Sequence, residues 1–405
     1  MNALVSIIIP VYNGANYMRE AIDSALAQTY SNIEIIVVND GSSDGGKTRE
    51  IALSYGDKIR YFEKENGGVS TALNLGIREM RGEYFSWLSH DDLYLPEKIE
   101  KEINALGNES DKTIPVNCGW TLYYMNTGEK YIYKDSRERY SLDYFTNGTI
   151  ATMLGLICGC GLLLHKSLFE EFGWFDETSR ITQDYDMWFR MFRGKRMVYV
   201  DEPLVISRVH GKQVTNTNSS FDEECDLINY YMISNLNKTD IESTGLSLYE
   251  FLCIPMLKCG NHGHKKAYIL AKEQLKKLEE PKNAVAKRLN LKNHIIQKYG
   301  DNIYLYCIGK RGLTLFDAFL LRGINISGFS DSDTAMWNRI IYGKQGVPLE
   351  VIPKEASIIV TKDRPYKLVQ ELKNKGFENV FTYNEIEQLL METPIDKNKL
   401  FETYC

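Results

Sequence analysis

This chain has few of the features that mark membrane, secreted or nucleic-acid-binding proteins. No apolar run reaches the roughly 18–20 residues that cross a bilayer. The opening MNALVSIIIPVYN has neither a basic region nor a cleavage site. The eight cysteines are scattered and show no repeated C-x-x-C, which argues against a structural zinc site. Cys158 and Cys160 form a lone C-G-C, read as reduced thiols in or near the core of a cytoplasmic protein. Positive charge is not in excess. The net charge is −6, which does not favour nonspecific contact with nucleic acid, and no nucleic-acid partner is expected. Internal repeats and low-complexity tracts are absent. What remains is a soluble globular composition, 43% hydrophobic and 25% charged. An aromatic share of 12%, with 26 Tyr, argues against long disorder. At 405 residues two or three domains are expected.

Residues 1–90 alternate strand and helix. Val5–Ile9 is a short apolar run, read as a buried strand, and Ala15–Gln28 sets Met18, Ile22, Ala25 and Leu26 on one helical face. Ile33–Val38 is a second buried strand, ended by the turn-forming NDGSSDGG. Lys47–Tyr55 reads as helix, Ile59–Phe62 as strand, Val69–Met80 as helix and Tyr84–Leu88 as strand. This rhythm predicts a parallel sheet with helices on both faces. Ligands of such sheets bind beyond the carboxyl ends of the strands. Asn39 and Asp40 stand at one such end, and Ser89 to Asp92 at another.

The rest of the chain changes character twice. Residues 91–215 are mixed, with an apolar stretch Ile150–Leu164, a helix near Gln183–Arg193 and a last strand Met197–Val205. Residues 216–299 read as helical. Within 258–298, eleven Lys or Arg stand against Glu273, Glu279 and Glu280, an excess of +8. Such a run is either a solvated helix face or a patch that sits on anionic lipid or a lipid-linked diphosphate. Residues 300–393 restart a β-α rhythm through Ile303–Ile308, Leu313–Leu321, Ile324–Phe329 and Ser357–Thr361. They are read as a separate small Rossmann-like domain, and 394–405 as a tail. There Gly309-Lys310-Arg311-Gly312 approximates a dinucleotide fingerprint. Cys307 stands in for its first Gly, and Asp331 lies near the usual ribose-binding acid.

Several side chains carry chemistry. Asp40 can accept an N–H from a ligand, or bond the backbone of its own turn. Asp91 and Asp92 can hold a hard divalent cation, or suit a helix N-terminus before Pro96. Asp184, in Gln183-Asp184-Tyr185-Asp186, can take a proton from a hydroxyl, or simply favour a helix start. The helical reading places Trp188 one turn from Asp184, an aromatic surface on which a sugar could stack.

The strings VSIIIPVYNGANYMREAIDSALAQTY, IEIIVVNDGSSDGG, ENGGVSTALNLGI and GEYFSWLSHDD together resemble the family 2 glycosyltransferases of the GT-A fold. GWFDE, TQDYDMWFR and SRVHGKQVT extend the resemblance to about residue 215. The fold class implied is α/β: a GT-A nucleotide-sugar-binding domain over 1–215 with a mixed, mainly parallel sheet, then the helical region and the Rossmann-like domain. The resemblance implies that Asp40 contacts the nucleotide base. Pro10, Tyr12 and Asn13 would line the same pocket, and Asn66, Gly67 and Asn74 fall in the third segment of the donor site. Leu73 stands where the family often has Arg, and Ser89 where its metal motif has a first Asp. Asp91 is then the principal metal ligand, with His210 completing a site for Mn²⁺ or Mg²⁺. Asp184 matches the catalytic base, with Asp186 second. The implied activity is inverting transfer from a nucleotide sugar, UDP-linked above all, to a glycan or lipid-linked glycan in bacterial surface polysaccharide assembly. The enzyme would be cytoplasmic, with peripheral membrane contact through 258–298. Two alternatives stand beside it: an NAD-linked oxidoreductase centred on 300–393, and an inactive nucleotide-sugar-binding protein, favoured by Ser89 and Leu73.

Overall fold

The structure, a computed structural model, describes residues 2–132, 139–179, 181–211, 213, 219–362 and 365–400. Lys212 and the residues after Gln213 in SRVHGKQVT lie outside them, as does the end of the 394–405 tail. The chain divides into two compact units, Met1–Glu224 and Cys225–Cys405.

The first unit is built on one sheet. Its strands are β1 (Val5–Val11), β2 (Ile33–Asp40), β3 (Arg60–Lys64), β4 (Tyr84–Trp87), β5 (Leu93–Tyr94), β6 (Val116–Tyr124), β7 (Lys130–Ile132), β8 (Leu162–His165) and β9 (Val198–Val209). Their order is β3-β2-β1-β4-β8-β6-β9-β5, with β7 paired to β6. The first four are parallel. Beyond them the directions mix, antiparallel at β4–β8 and β6–β8, parallel at β6–β9. The α/β class is as the sequence implies. Every residue of β1 is buried, as expected of a strand covered on both faces. β4 pairs β1 only along Val5–Ile8. Pro10, which has no N–H to offer, therefore sits where β1 has one neighbour, β2.

The last strand is longer than the apolar pattern suggests. It runs on to Val209 because β6 pairs with it that far, Tyr124 with Val209, while β5 pairs Leu93 with Ile206 and Tyr94 with Val205. Its register against β6 slips on both sides of Gly119, which faces Pro203. That extension carries Arg208 and His210 to the ends of the central strands.

In the second unit the helix Leu248–His262 opens with a capping box, Ser247 and Glu250. It is buried nearly all round, the mark of a central helix. It packs on the helices Lys310–Leu320 and Asn384–Glu392. The helical segment and the second sheet thus belong to one unit, where the sequence divides them at 300. The second sheet is parallel, ordered Gly328–Ser330, Ile303–Tyr306, Ser357–Val360, Val380–Thr382. Strand Gly328–Ser330 starts later than Ile324, which is buried but unpaired to the sheet. Cys307 takes φ +70, so this position does adopt the left-handed backbone that favours glycine. Asp331 accepts from the amides of Ile308 at 2.7 Å and Asp333 at 3.0 Å, so both its oxygens serve its own loops.

Candidate active site

The carboxyl ends of β1 and β2 are tied together by short polar side chains. Asn13, at φ 50, takes the left-handed turn that Asn tolerates. Its amide N–H donates to Ser42 Oγ at 2.8 Å, and its Oδ1 accepts from Ser43 N at 2.7 Å. Asn39 Oδ1 accepts from Ser42 N at 3.0 Å and from Ser42 Oγ at 2.6 Å. Gly41 is at φ +66, and a Cβ there would meet Asn66 N at 2.5 Å. Asp40 is buried and works across loops. Its Oδ1 takes Lys64 Nζ at 2.6 Å and Gly67 N at 3.0 Å, and its Oδ2 takes Gly68 N at 2.7 Å. Asn66 Nδ2 donates to the Asp40 carbonyl. Asp40, Asn66 and Gly67 are therefore one cluster, with half-exposed Tyr12 at the end of β1. Asn74 is elsewhere, its amide bonded to the backbone of Phe175 and to Glu177 Oε1.

A second cluster forms where β4 ends and β9 ends. Asp91 Oδ2 lies 3.1 Å from His210 Nε2 across 119 residues of chain, with Gln213 Nε2 at 3.4 Å. Both side chains of the pair keep about one-seventh exposure, 14% and 13%. Asp92 is turned inward and accepts from Arg208 N at 2.9 Å. Burial first, then Cys160 and Asp91 nearby, push its carboxyl well above the usual carboxylate range. Arg208 bonds the Asp91 carbonyl through Nε and pairs with Glu20 at 2.8 Å. The ring of Tyr17 lies 4.9 Å from that of His210. The two ends are thus clipped together by backbone and side chain alike. Among the described residues no three His, Cys, Asp or Glu form a metal cage. A carboxylate oxygen and an imidazole nitrogen this close do suit a shared divalent cation whose remaining positions go to phosphate oxygens.

The helix Gln183–Phe192 carries Asp184 and Asp186 in its first turn. Burial pushes the Asp184 carboxyl up to about 6, partly offset by its bond from Tyr185 N. Asp186 is committed to Arg190, at 2.8 and 3.0 Å. Arg190 in turn bonds the carbonyls of Phe172 and Trp174. Trp188 corrects the sequence reading. It is 1% exposed, stacked on Phe192 at 5.3 Å and edge-on to Phe175 at 5.7 Å. It is core, and no sugar can stack on it. Phe175 also meets Trp87 of β4 edge-on.

The family model for Glycosyl transferase family 2 matches residues 6–173. An uncharacterized glycosyltransferase of Rickettsia typhi is 50% identical over 268 residues, 66% of this chain and 83% of that protein. The chain belongs to glycosyltransferase family 2. A relative from Rickettsia prowazekii is 48% identical over the same shares of both chains. One from Rickettsia bellii is 47% identical, but only 40% of its length is covered. A crystal structure of S. aureus TarS 1-349 with UDP-GlcNAc aligns at TM-score 0.49 and 15% identity, covering 72% of this chain and 87% of that one. The family match encloses Asp40 and Asp91 and ends before Asp184 and His210.

This family 2 chain also uses residues that motif reading passes over. Lys64, last in β3, reaches back to Asp40; the pairing of Asp40 with Lys64 across β2 and β3 sets it up. Gln213 stands in SRVHGKQVT without a signature of its own. Phe175 and Arg190 sit in motifs whose packing role has no sequence signature. No feature short of the sheet register would have singled them out.

Proposed function

We propose that this chain is an inverting, metal-dependent glycosyltransferase that moves a sugar from a nucleotide sugar, a UDP-sugar first, to a hydroxyl of a glycan or lipid-linked glycan. The observation that carries the proposal is the meeting of Asp91 and His210 at 3.1 Å. Those two residues would hold Mn²⁺ or Mg²⁺ against the donor diphosphate. When bound, the cation supplies counter-charge for the departing diphosphate. The cluster of Asp40, Asn66 and Gly67, with Pro10, Tyr12 and Asn13, would receive the nucleoside. Asp40 Oδ2 has one bond, from Gly68 N, and so a lone pair left for an imide N–H.

Asp184 would take the acceptor hydroxyl's proton. Its carboxyl titrates near 6, so it is ionised at neutral pH yet still basic enough to be useful. The freed oxygen would then attack the anomeric carbon as the bond to the diphosphate breaks on the opposite face, which inverts configuration. Asp186 is held by Arg190 and is a poorer base. The biological setting we propose is surface polysaccharide assembly in a bacterial cytoplasm, with the basic stretch 258–298 touching the inner membrane face. The test is incubation with a panel of nucleotide sugars and Mn²⁺ or Mg²⁺, measuring released nucleoside diphosphate. Release from one donor, lost on chelation, is expected; no release from any donor would favour an inactive binding protein, and NAD(H) turnover the oxidoreductase.

A further inference from the structure

We infer that the helix Ala284–Tyr299 is the part of the second unit that lies on an anionic lipid surface. This narrows the membrane contact proposed above to one helix face and rests on it.

The helix buries Ala284, Leu291, Ile295 and Tyr299, spaced along one side. Its flank is also apolar and is not covered. Val285, Leu289 and Ile296 are 67%, 55% and 43% exposed. Steps of four and seven residues place them in one line, with exposed Lys292 between Leu289 and Ile296. Part of the basic excess of this region is neutralised on the protein. Lys287 pairs with Glu250, Arg288 with Glu280 and Lys298 with Glu385. On neighbouring elements Lys272 pairs with Asp317 and Lys276 with Glu273. Among the described residues, Lys292 and the exposed Lys282 just before the helix have no such ion pair, and neither have the exposed Lys265, Lys266 and Lys277 of the preceding helix. No acid lies between Asn283 and Gly300.

An exposed apolar line beside unneutralised lysines, with no carboxylate on the helix, is the pattern of a helix lying in a bilayer interface. Apolar side chains enter the acyl boundary and the lysines meet anionic headgroups. Charge decides against a second copy of the chain. A two-fold pairing of this helix face sets the same patch against itself, and Lys292 would meet its copy with no acid on the helix to receive it.

Co-sedimentation of the full chain with phosphatidylcholine vesicles, with and without phosphatidylglycerol, tests this at low and high salt. Binding is expected only with phosphatidylglycerol, and weaker in salt. The triple variant Val285→Ser, Leu289→Ser, Ile296→Ser should bind about tenfold more weakly. Lys282→Glu with Lys292→Glu should flatten the salt dependence. Both should keep the parent thermal transition, since all five side chains are exposed. Anionic binding that persists at parent strength in both variants overturns the helix assignment and leaves the wider membrane contact standing. Binding to neither vesicle overturns both. A parent dimer that the triple variant dissociates gives the face to a second copy and overturns the proposal.

Discussion

Asp184 and Asp186 are two residues apart on one helix, yet their surroundings differ. Among the described residues Asp184 has no cation at hydrogen-bond distance, and burial pushes it up to about 6, whereas Asp186 is locked to Arg190. Asp184→Asn keeps shape but cannot take a proton. Transfer should fall by about 10²–10⁴ while donor binding persists. With Asp184 as base, parent activity should rise with pH through about 6, because only the ionised form accepts the proton. A profile flat through that range, or an Asn variant at the parent rate, would move the base elsewhere. Asp91→Ala should lower turnover by at least about a hundredfold, by loss of the group that would hold the counter-charge. Its effect should vanish into the background when the cation is chelated, and this is checked by running both enzymes with and without chelator.

Elements are what bring these residues together. Strand β9 delivers His210 because β6 pairs with it through Val209, while β5 pairs beside it and Asp92 accepts from Arg208 N. The helix Lys98–Gly107 carries a buried pair along itself, Lys98 to Glu102 at 2.8 Å, and is tied to β4 by Lys98 Nζ donating to Ser86 Oγ at 3.1 Å. Burial holds Glu102 at about 7, above its ordinary 4.5. A raised carboxylate stabilises the fold while it is protonated, and that contribution fades as pH rises from about 4.5 through about 7. Asp184 acts in the same direction at lower pH. Urea melts across this range should show stability falling with pH, with a shallower slope in Glu102→Gln. Short apolar runs made β1, β2 and β4 legible in the sequence, and the 3.6 pattern the helix Gln183–Phe192, because each has enough local apolar surface to bury. Motif strings made Asp40, Asp91, Asp184 and His210 legible as candidates. What stayed hidden depends on long-range register: the extension of β9, the reach of Lys64 to Asp40, and the burial of Trp188 against Phe175. A helical wheel shows that Trp188 and Asp184 share a side, but not that Phe175 arrives from another loop to cover it.

On the scale of the whole molecule the chain is two units, and the boundary falls after Glu224. The helix Leu248–His262 needs the helices Lys310–Leu320 and Asn384–Glu392 to cover its apolar surface. A chain ended after Tyr299 should therefore expose that surface and bind a hydrophobic dye such as ANS. One ended after Glu224 should not. The excess of +8 over 258–298 is likewise less than it looks at this scale, since Lys272, Lys287 and Lys298 pair with Asp317, Glu250 and Glu385 outside the segment, and desolvation lowers the basicity of half-buried Lys258. The central claim is that the first unit performs cation-dependent transfer from a nucleotide sugar. The measurement that tests it most directly is nucleoside diphosphate release by the parent and Asp91→Ala proteins, across a donor panel, with Mn²⁺ and with chelator. The account predicts release from one donor by the parent with metal, and at least a hundredfold less from the variant or without metal. Equal release by the parent with and without chelator, or by Asp91→Ala at the parent rate, would contradict it.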